Sequence, residues 1–206
     1  LEDLRDGVAR LWPLAGGEGR ALVTVPQARD AVPQVFETAF SPDGTRLVTT
    51  TPGGTVKLWP SEGGSAPVVL NGHSALVANL EFSPGGRRLA TASIDRTARV
   101  WSLDAPGSAA VLRDHAHWVV SVAFSPDGKR LLTGSTDRTA RIYSLGSAAP
   151  PRVLAGHAAP LLDARWSPDG RFAATASMDG TARIYDTLAA GETPRVLTHG
   201  GELTTI

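Results

Sequence analysis

One phrase recurs along this chain at a fixed interval. Ser83–Leu103 reads SPGGRRLATASIDRTARVWSL, Ser125–Leu145 reads SPDGKRLLTGSTDRTARIYSL and Ser167–Thr187 reads SPDGRFAATASMDGTARIYDT. The turn signal starts at Ser41, Ser83, Ser125 and Ser167, 42 residues apart each time. His73, His115, His157 and His199 keep the same spacing, as do Trp59, Trp101, Tyr143 and Tyr185. Trp12 stands 47 residues before Trp59, because PQARDAVPQ inserts five. A period of this size marks an array in which each unit is one supersecondary element that cannot bury its apolar faces alone.

The pattern inside a unit is that of short strands. VVSVAF is compact and β-branched, and the SPDG that follows is a hairpin signal. Its proline presets φ and its glycine accepts a positive φ. LLTGS, a tight STDR turn and TARIYSL come next, then a loop of small residues and a fourth strand, PRVLAG. Four strands per unit, punctuated by turns, exclude a helical solenoid. Each unit is expected to be a four-stranded antiparallel sheet, apolar on both faces and stacked on its neighbours.

Composition removes several function classes. The 20 Lys+Arg balance 20 Asp+Glu, which gives no electrostatic case for nucleic acid or an acidic membrane. There is no cysteine, hence no disulfide framework. No apolar run nears the roughly 18 residues of a membrane span. A cytoplasmic location is the expectation. Arginine far outnumbers lysine, which fits a GC-rich bacterial source.

On Gly72-His73, Asp114-His115 and Gly156-His157, the SPDG turns, SIDRT, STDRT and SMDGT, and the endings RLW, KLW, RVW and RIY, the chain resembles the WD-repeat family. The resemblance implies an all-β fold, a β-propeller of four-stranded antiparallel blades. Residues 35–70, 71–112, 113–154 and 155–198 read as four full blades, with partial ones at 1–27 and 199–206. In register, Leu1 matches Ala174 and Ile206 matches Ala164, so a five-bladed ring and a seven-bladed one are both in phase. The chain is expected to be part of a longer propeller, or a ring with a stretch unaccounted for.

The family's structural tetrad of His, Ser/Thr, Asp and Trp maps onto His73, Ser93, Asp95 and Trp101. It maps next onto His115, Ser135, Asp137 and Tyr143, and then onto His157, Ser177, Asp179 and Tyr185, where tyrosine lacks the indole N–H. Earlier units depart: Thr51 and Trp59 are present but Gly53 replaces the aspartate, while Asp6 and Trp12 fit but Leu4 takes the serine position. Apolar packing is expected to hold those units. Three copies of His, Ser and Asp at fixed spacing argue against a hydrolase triad, since an enzyme needs one asymmetric site. Histidines placed one per blade do not converge on a metal. No catalytic residue, metal or cofactor is expected.

The resemblance implies a non-enzymatic protein–protein interaction scaffold, the sensor or docking region of a larger bacterial signalling or effector protein. Two other readings stand beside it: self-assembly, in which an incomplete ring completes itself as a homo-oligomer, and a propeller enzyme. An enzyme would need a one-off polar cluster at the central channel. The unrepeated polar residues read as scattered, and no P-loop or GxSxG pattern occurs. A protein or peptide partner is expected where the repeats disagree on the top-face loops: Leu76, Trp118 and Pro160; Ile94, Thr136 and Met178; Arg96 and Arg138. A second reading of Trp118 makes it a plug of the channel. The opposite face carries DAPGSAA, GSAAPP and LAAGETP, with little to grip.

Overall fold

A computed structural model describes residues 8–11, 20–24, 35–63, 65–105, 107–189 and 193–198. Asp6, Trp12, His199 and the 199–206 stretch lie outside them. The described residues form strands and turns with no helix, so none is long and apolar enough to cross a membrane.

Strands β1 (Val8–Leu11) and β2 (Arg20–Thr24) make a two-stranded antiparallel sheet. Four antiparallel sheets of four strands follow, each in strict sequence order. The first holds β3 (Thr38–Phe40), β4 (Arg46–Thr50), β5 (Val56–Pro60) and β6 (Val68–Leu70). The second holds β7 (Val77–Phe82), β8 (Arg88–Ser93), β9 (Ala98–Ser102) and β10 (Ala109–Leu112). In the third are β11 (Val119–Phe124), β12 (Arg130–Ser135), β13 (Ala140–Ser144) and β14 (Arg152–Leu154). The fourth is β15 (Leu161–Trp166), β16 (Phe172–Ser177), β17 (Thr181–Asp186) and β18 (Arg195–Thr198).

Consecutive sheets pack face to face. Alternation along each strand gives every sheet a rear face toward the preceding sheet and a forward face toward the next. Val48, Val56, Leu58 and Leu70, on the forward face of the first sheet, bury against Val77, Leu80, Phe82, Leu89 and Trp101 on the rear face of the second. Ala90, Ala92, Ala98 and Val100 meet Val122, Phe124, Leu131 and Tyr143 in the same way, and Leu132, Ala140, Ile142 and Leu154 meet Leu161, Ala173 and Tyr185. One unit buries little without its neighbours, which is the physical content of the repeat.

The inner strand of the last three sheets carries a bulge. Val77 pairs with Ser93, but Asn79 pairs with Ala92, so one residue is extra; Val119/Ser121 and Leu161/Asp163 repeat the shift. An extra residue switches the side chains after it to the other face. Val77 therefore stays on the rear face, whereas Asn79 and Glu81 turn forward onto the next sheet. Their side-chain oxygens accept from Val122 N at 3.0 Å and Phe124 N at 2.8 Å. Ser121 donates to Asp163 at 2.7 Å, and Asp163 also accepts from Arg165 Nε at 2.9 Å. These polar residues were expected to be scattered. The structure instead gathers Asn79, Glu81, Ser121, Asp163 and Arg165 along neighbouring inner strands, where they satisfy one another and the free amides of strand edges.

Candidate functional site

Each sheet has two ends. One carries the SPDG-type turns; the other carries the histidine loop and the turn joining the second and third strands. At the latter end the second sheet holds a chain of hydrogen bonds. His73 Nδ1 lies 2.8 Å from Asp95 Oδ2, His73 Nε2 lies 2.7 Å from Thr91 Oγ1, and Trp101 Nε1 donates to Thr91 Oγ1 at 3.0 Å. With the tryptophan N–H as donor only, the direction follows: Trp101 to Thr91, Thr91 to the imidazole, and the imidazole Nδ1–H to the carboxylate. Asp95 further accepts from Ser74 N, Thr97 N and Thr97 Oγ1.

The bridging hydroxyl is thus Thr91 and not Ser93, and the same holds for Thr133 over Ser135 and Thr175 over Ser177. Positions two apart share a face of a strand, so both hydroxyls point rearward; their height decides which one serves. Thr91, opposite Arg99, lies within reach of the imidazole and of the Trp101 indole, which leans up from its own cross-strand partner Leu89. Ser93 stands one step nearer the turn, where its hydroxyl donates to Ala75 O and accepts from Asp95 N. Ser135 and Ser177 likewise bond to Trp118 O and Pro160 O.

The aromatic member varies. In the first sheet Trp59 Nε1 donates to Thr49 at 2.9 Å, so this link persists where the histidine and aspartate are missing, and its hydroxyl is again two residues before the expected Thr51. Tyr185 turns its hydroxyl to Ala155 O at 3.1 Å. The Tyr143 hydroxyl is buried near Asp114 and Thr133 without a hydrogen bond of good geometry among the described residues.

These histidines have no access to a substrate. Their side chains are 0%, 2% and 1% exposed for His73, His115 and His157. Burial pushes all three imidazoles below the ordinary 6.5, against the pull of the paired aspartates. Burial opposes ionisation of the aspartates too, but hydrogen bonds from Thr97, His73 and the backbone outweigh it and hold Asp95 down at about 2. Asp137 and Asp179 shift the same way for the same reasons.

Both shifts make the folded state bind fewer protons than the unfolded chain, so both favour folding at higher pH. The histidine contribution is present above 6.5 and is lost as the pH falls from there through the lowered folded values. The aspartate contribution is lost below 3.8. Glu37 and Glu81 oppose this, since burial raises them above 4.5 and their contribution is lost as the pH rises. Between pH 7 and pH 5 the aspartates stay ionised in both states, and three histidines against two glutamates leave a net loss on acidification. The urea midpoint is expected to fall steadily from pH 7 to pH 5; an unchanged midpoint over that interval would contradict the assignment of neutral, buried imidazoles.

Around these buried pairs the same loops present the variable residues. Backbone bonds join them two by two: Ile94 N to Leu76 O, Thr136 N to Trp118 O and Met178 N to Pro160 O, each at 3.0 Å. Trp118 is 48% exposed and Met178 50% exposed. Trp118 therefore stands partly in solvent, with His117 tilted against it at 5.4 Å and bonded through Nδ1 to Thr136 at 2.7 Å. Leu76, Ile94, Thr136 and Pro160 are half-buried, while Arg96 and Arg138 are exposed. No group of histidine, aspartate and glutamate among the described residues is placed to hold a metal.

The family model described as "WD domain, G-beta repeat" matches four segments, residues 30–60, 64–102, 108–144 and 149–186. No curated protein matches the chain. With most of the sequence in those four matches, and with four sheets of four antiparallel strands stacked in sequence order, the chain belongs to the WD-repeat family, and its sheets are blades of the β-propeller type.

Proposed function

We propose that this chain is the docking region of a larger bacterial signalling or effector protein, working in the cytoplasm. It holds a protein or peptide on the blade end that carries Trp118. WD repeats generally serve as protein–protein interaction scaffolds and are generally non-enzymatic. The observation that carries the reading is the half-exposed Trp118 with Met178 on loops that a buried hydrogen-bond network holds rigid. An exposed apolar cluster beside charge is the usual mark of a protein-binding surface, and Trp with Arg is a common hot-spot pair. The inner-strand polar cluster lends no support to a catalytic reading, because Glu81 and Ser121 bond to neighbouring blades and Arg165 bonds to Asp163 of its own strand.

The combined change Trp118→Ala and Arg138→Ala is expected to weaken partner capture by about 10-fold or more, roughly 1.4 kcal/mol per decade, with little change in melting temperature. Alanine at Pro150, on the opposite end, should leave capture intact. Capture retained by the first variant and lost by the second would reverse the assignment.

A specific observation favours a second reading, assembly with another copy. Ala174 and Ile184 are half-buried and Leu197 is 50% exposed. Their counterparts in the preceding blade, Leu132, Ile142 and Leu154, are 0%, 7% and 3% exposed. Light scattering across a dilution series decides: a mass that stays that of one chain removes this reading.

A further inference from the structure

The carboxylates and guanidiniums at the Trp118 end of the blades are in opposite situations. Asp95, Asp137 and Asp179 are committed to the histidines and are only 6%, 10% and 11% exposed. Arg96 and Arg138 are exposed, and neither guanidinium has an ion-pair or hydrogen-bond partner among the described residues. Arg113, exposed on the loop leading to His115 and Trp118, is equally unpaired among them. Asp114, exposed beside Arg113, offsets it, so the free positive charge around Trp118 among the described residues is that of Arg96 and Arg138, although the whole chain is neutral.

Two of these arginines stand where the backbone disfavours them. Arg96 and Arg138 both have φ 71°, the left-handed region, and they are the only non-glycine residues with positive φ among those described. The same position in the other two complete repeats is Gly54, φ 82°, and Gly180, φ 76°. A side chain held there costs on the order of 1 kcal/mol or more and commonly marks a functional position. The two strained arginines occupy adjoining blades, and Trp118 projects from the second of the two.

We propose that the partner segment is acidic: an aspartate or glutamate side chain pairs with Arg138 or Arg96 while a neighbouring apolar side chain covers Trp118. This rests on the docking reading above and names the chemistry of what docks. Arginine presents a planar fork of donors that fits a carboxylate with two parallel bonds. A nucleic acid fits less well, because it would need a broad basic surface, and the chain has zero net charge.

The repeat itself supplies the safe substitution. Arg96→Gly and Arg138→Gly place in the turn the residue that Gly54 and Gly180 already place there, so the melting temperature should hold or rise. The probe is a library of random 12-residue peptides selected on the full chain and measured by fluorescence polarisation, with a single-stranded oligonucleotide beside it. Selected peptides should carry Asp or Glu next to a large apolar residue. Their affinity should fall about 10-fold or more in the double glycine variant, and by a similar factor when the acid is changed to its amide. In the variant, the amide change should cost nothing further. Peptides that need Trp118 but lack acids, or ignore the glycine variant, would overturn the acidic partner and leave docking on this face intact. Binders that ignore Trp118→Ala altogether would overturn both. An oligonucleotide held more tightly than any peptide, and released by the glycine variant, would replace the carboxylate with a phosphate and so also overturn the proposal.

Discussion

Asp95→Ala is expected to cost about 3 kcal/mol of stability, because it removes the acceptor at the end of a buried chain of donors. Four donors converge on this carboxylate: His73 Nδ1, Ser74 N, Thr97 N and Thr97 Oγ1. The histidine N–H is then left buried and unpaired, and the loop before the inner strand loses its tie to the turn between the second and third strands. For a chain of this size, 3 kcal/mol corresponds to a melting temperature lower by about 6–12 °C. Asp95→Asn keeps one acceptor oxygen and should lose less. Because the released histidine loop also carries Leu76, binding by the variant at low temperature should weaken along with stability, but with no catalytic step lost. A melting temperature equal to the parent's would mean that packing against the first blade, through Val77, Leu89 and Trp101, carries the second blade without the network.

The second large effect is expected at Gly54. By position in the repeat it is interchangeable with Arg96 and Arg138, and the sequence offers no reason against Gly54→Arg. The structure offers one. A Cβ on Gly54 would lie 2.5 Å from Ala75 O and 3.0 Å from His73 O, which are backbone atoms of the next blade's histidine loop and have no rotamer to yield. The φ of +82° adds the ordinary penalty for a side chain in the left-handed region. Together the crowding and the strain should cost about 2–4 kcal/mol. Gly44→Ala is the control: φ is +70° but nothing lies within 4 Å of the added atom, so only about 1 kcal/mol should be lost. Chemical denaturation of the two variants side by side checks this. Equal losses would show that the first and second blades separate at that end without cost.

The two changes probe the same contact from opposite sides. Asp95 holds the histidine loop against its own blade, and Gly54 sets how closely the preceding blade can approach that loop. Both bear on the docking face, since Leu76, Trp118 and Pro160 follow the histidines on these loops and take their positions from them.

Repetition alone determined much of this protein. Strand number, strand order and the stacking of one sheet on the next follow from a sentence spelled out at a spacing of 42, while the pairing of His73, His115 and His157 with the aspartate 22 residues later is what the family resemblance implied. The reason is that local turn chemistry and alternating apolar residues specify each unit, and a unit with two apolar faces has one way to bury them. What required the tertiary structure was everything set by height, face or neighbour. Thr91 and Ser93 share a face, and only their level against Trp101 decides which hydroxyl reaches the imidazole. Asn79 and Glu81 face forward because a bulge inserts a residue and shifts the phase of the strand, so that Val77, Leu80 and Phe82 share a face that strict alternation would not give them. Ser121 and Asp163 are 42 residues apart and read as unrelated variations until adjoining inner strands place them 2.7 Å apart. Trp118 is one letter in a loop, and only the folded blades show it to be 48% exposed beside His117 and Thr136.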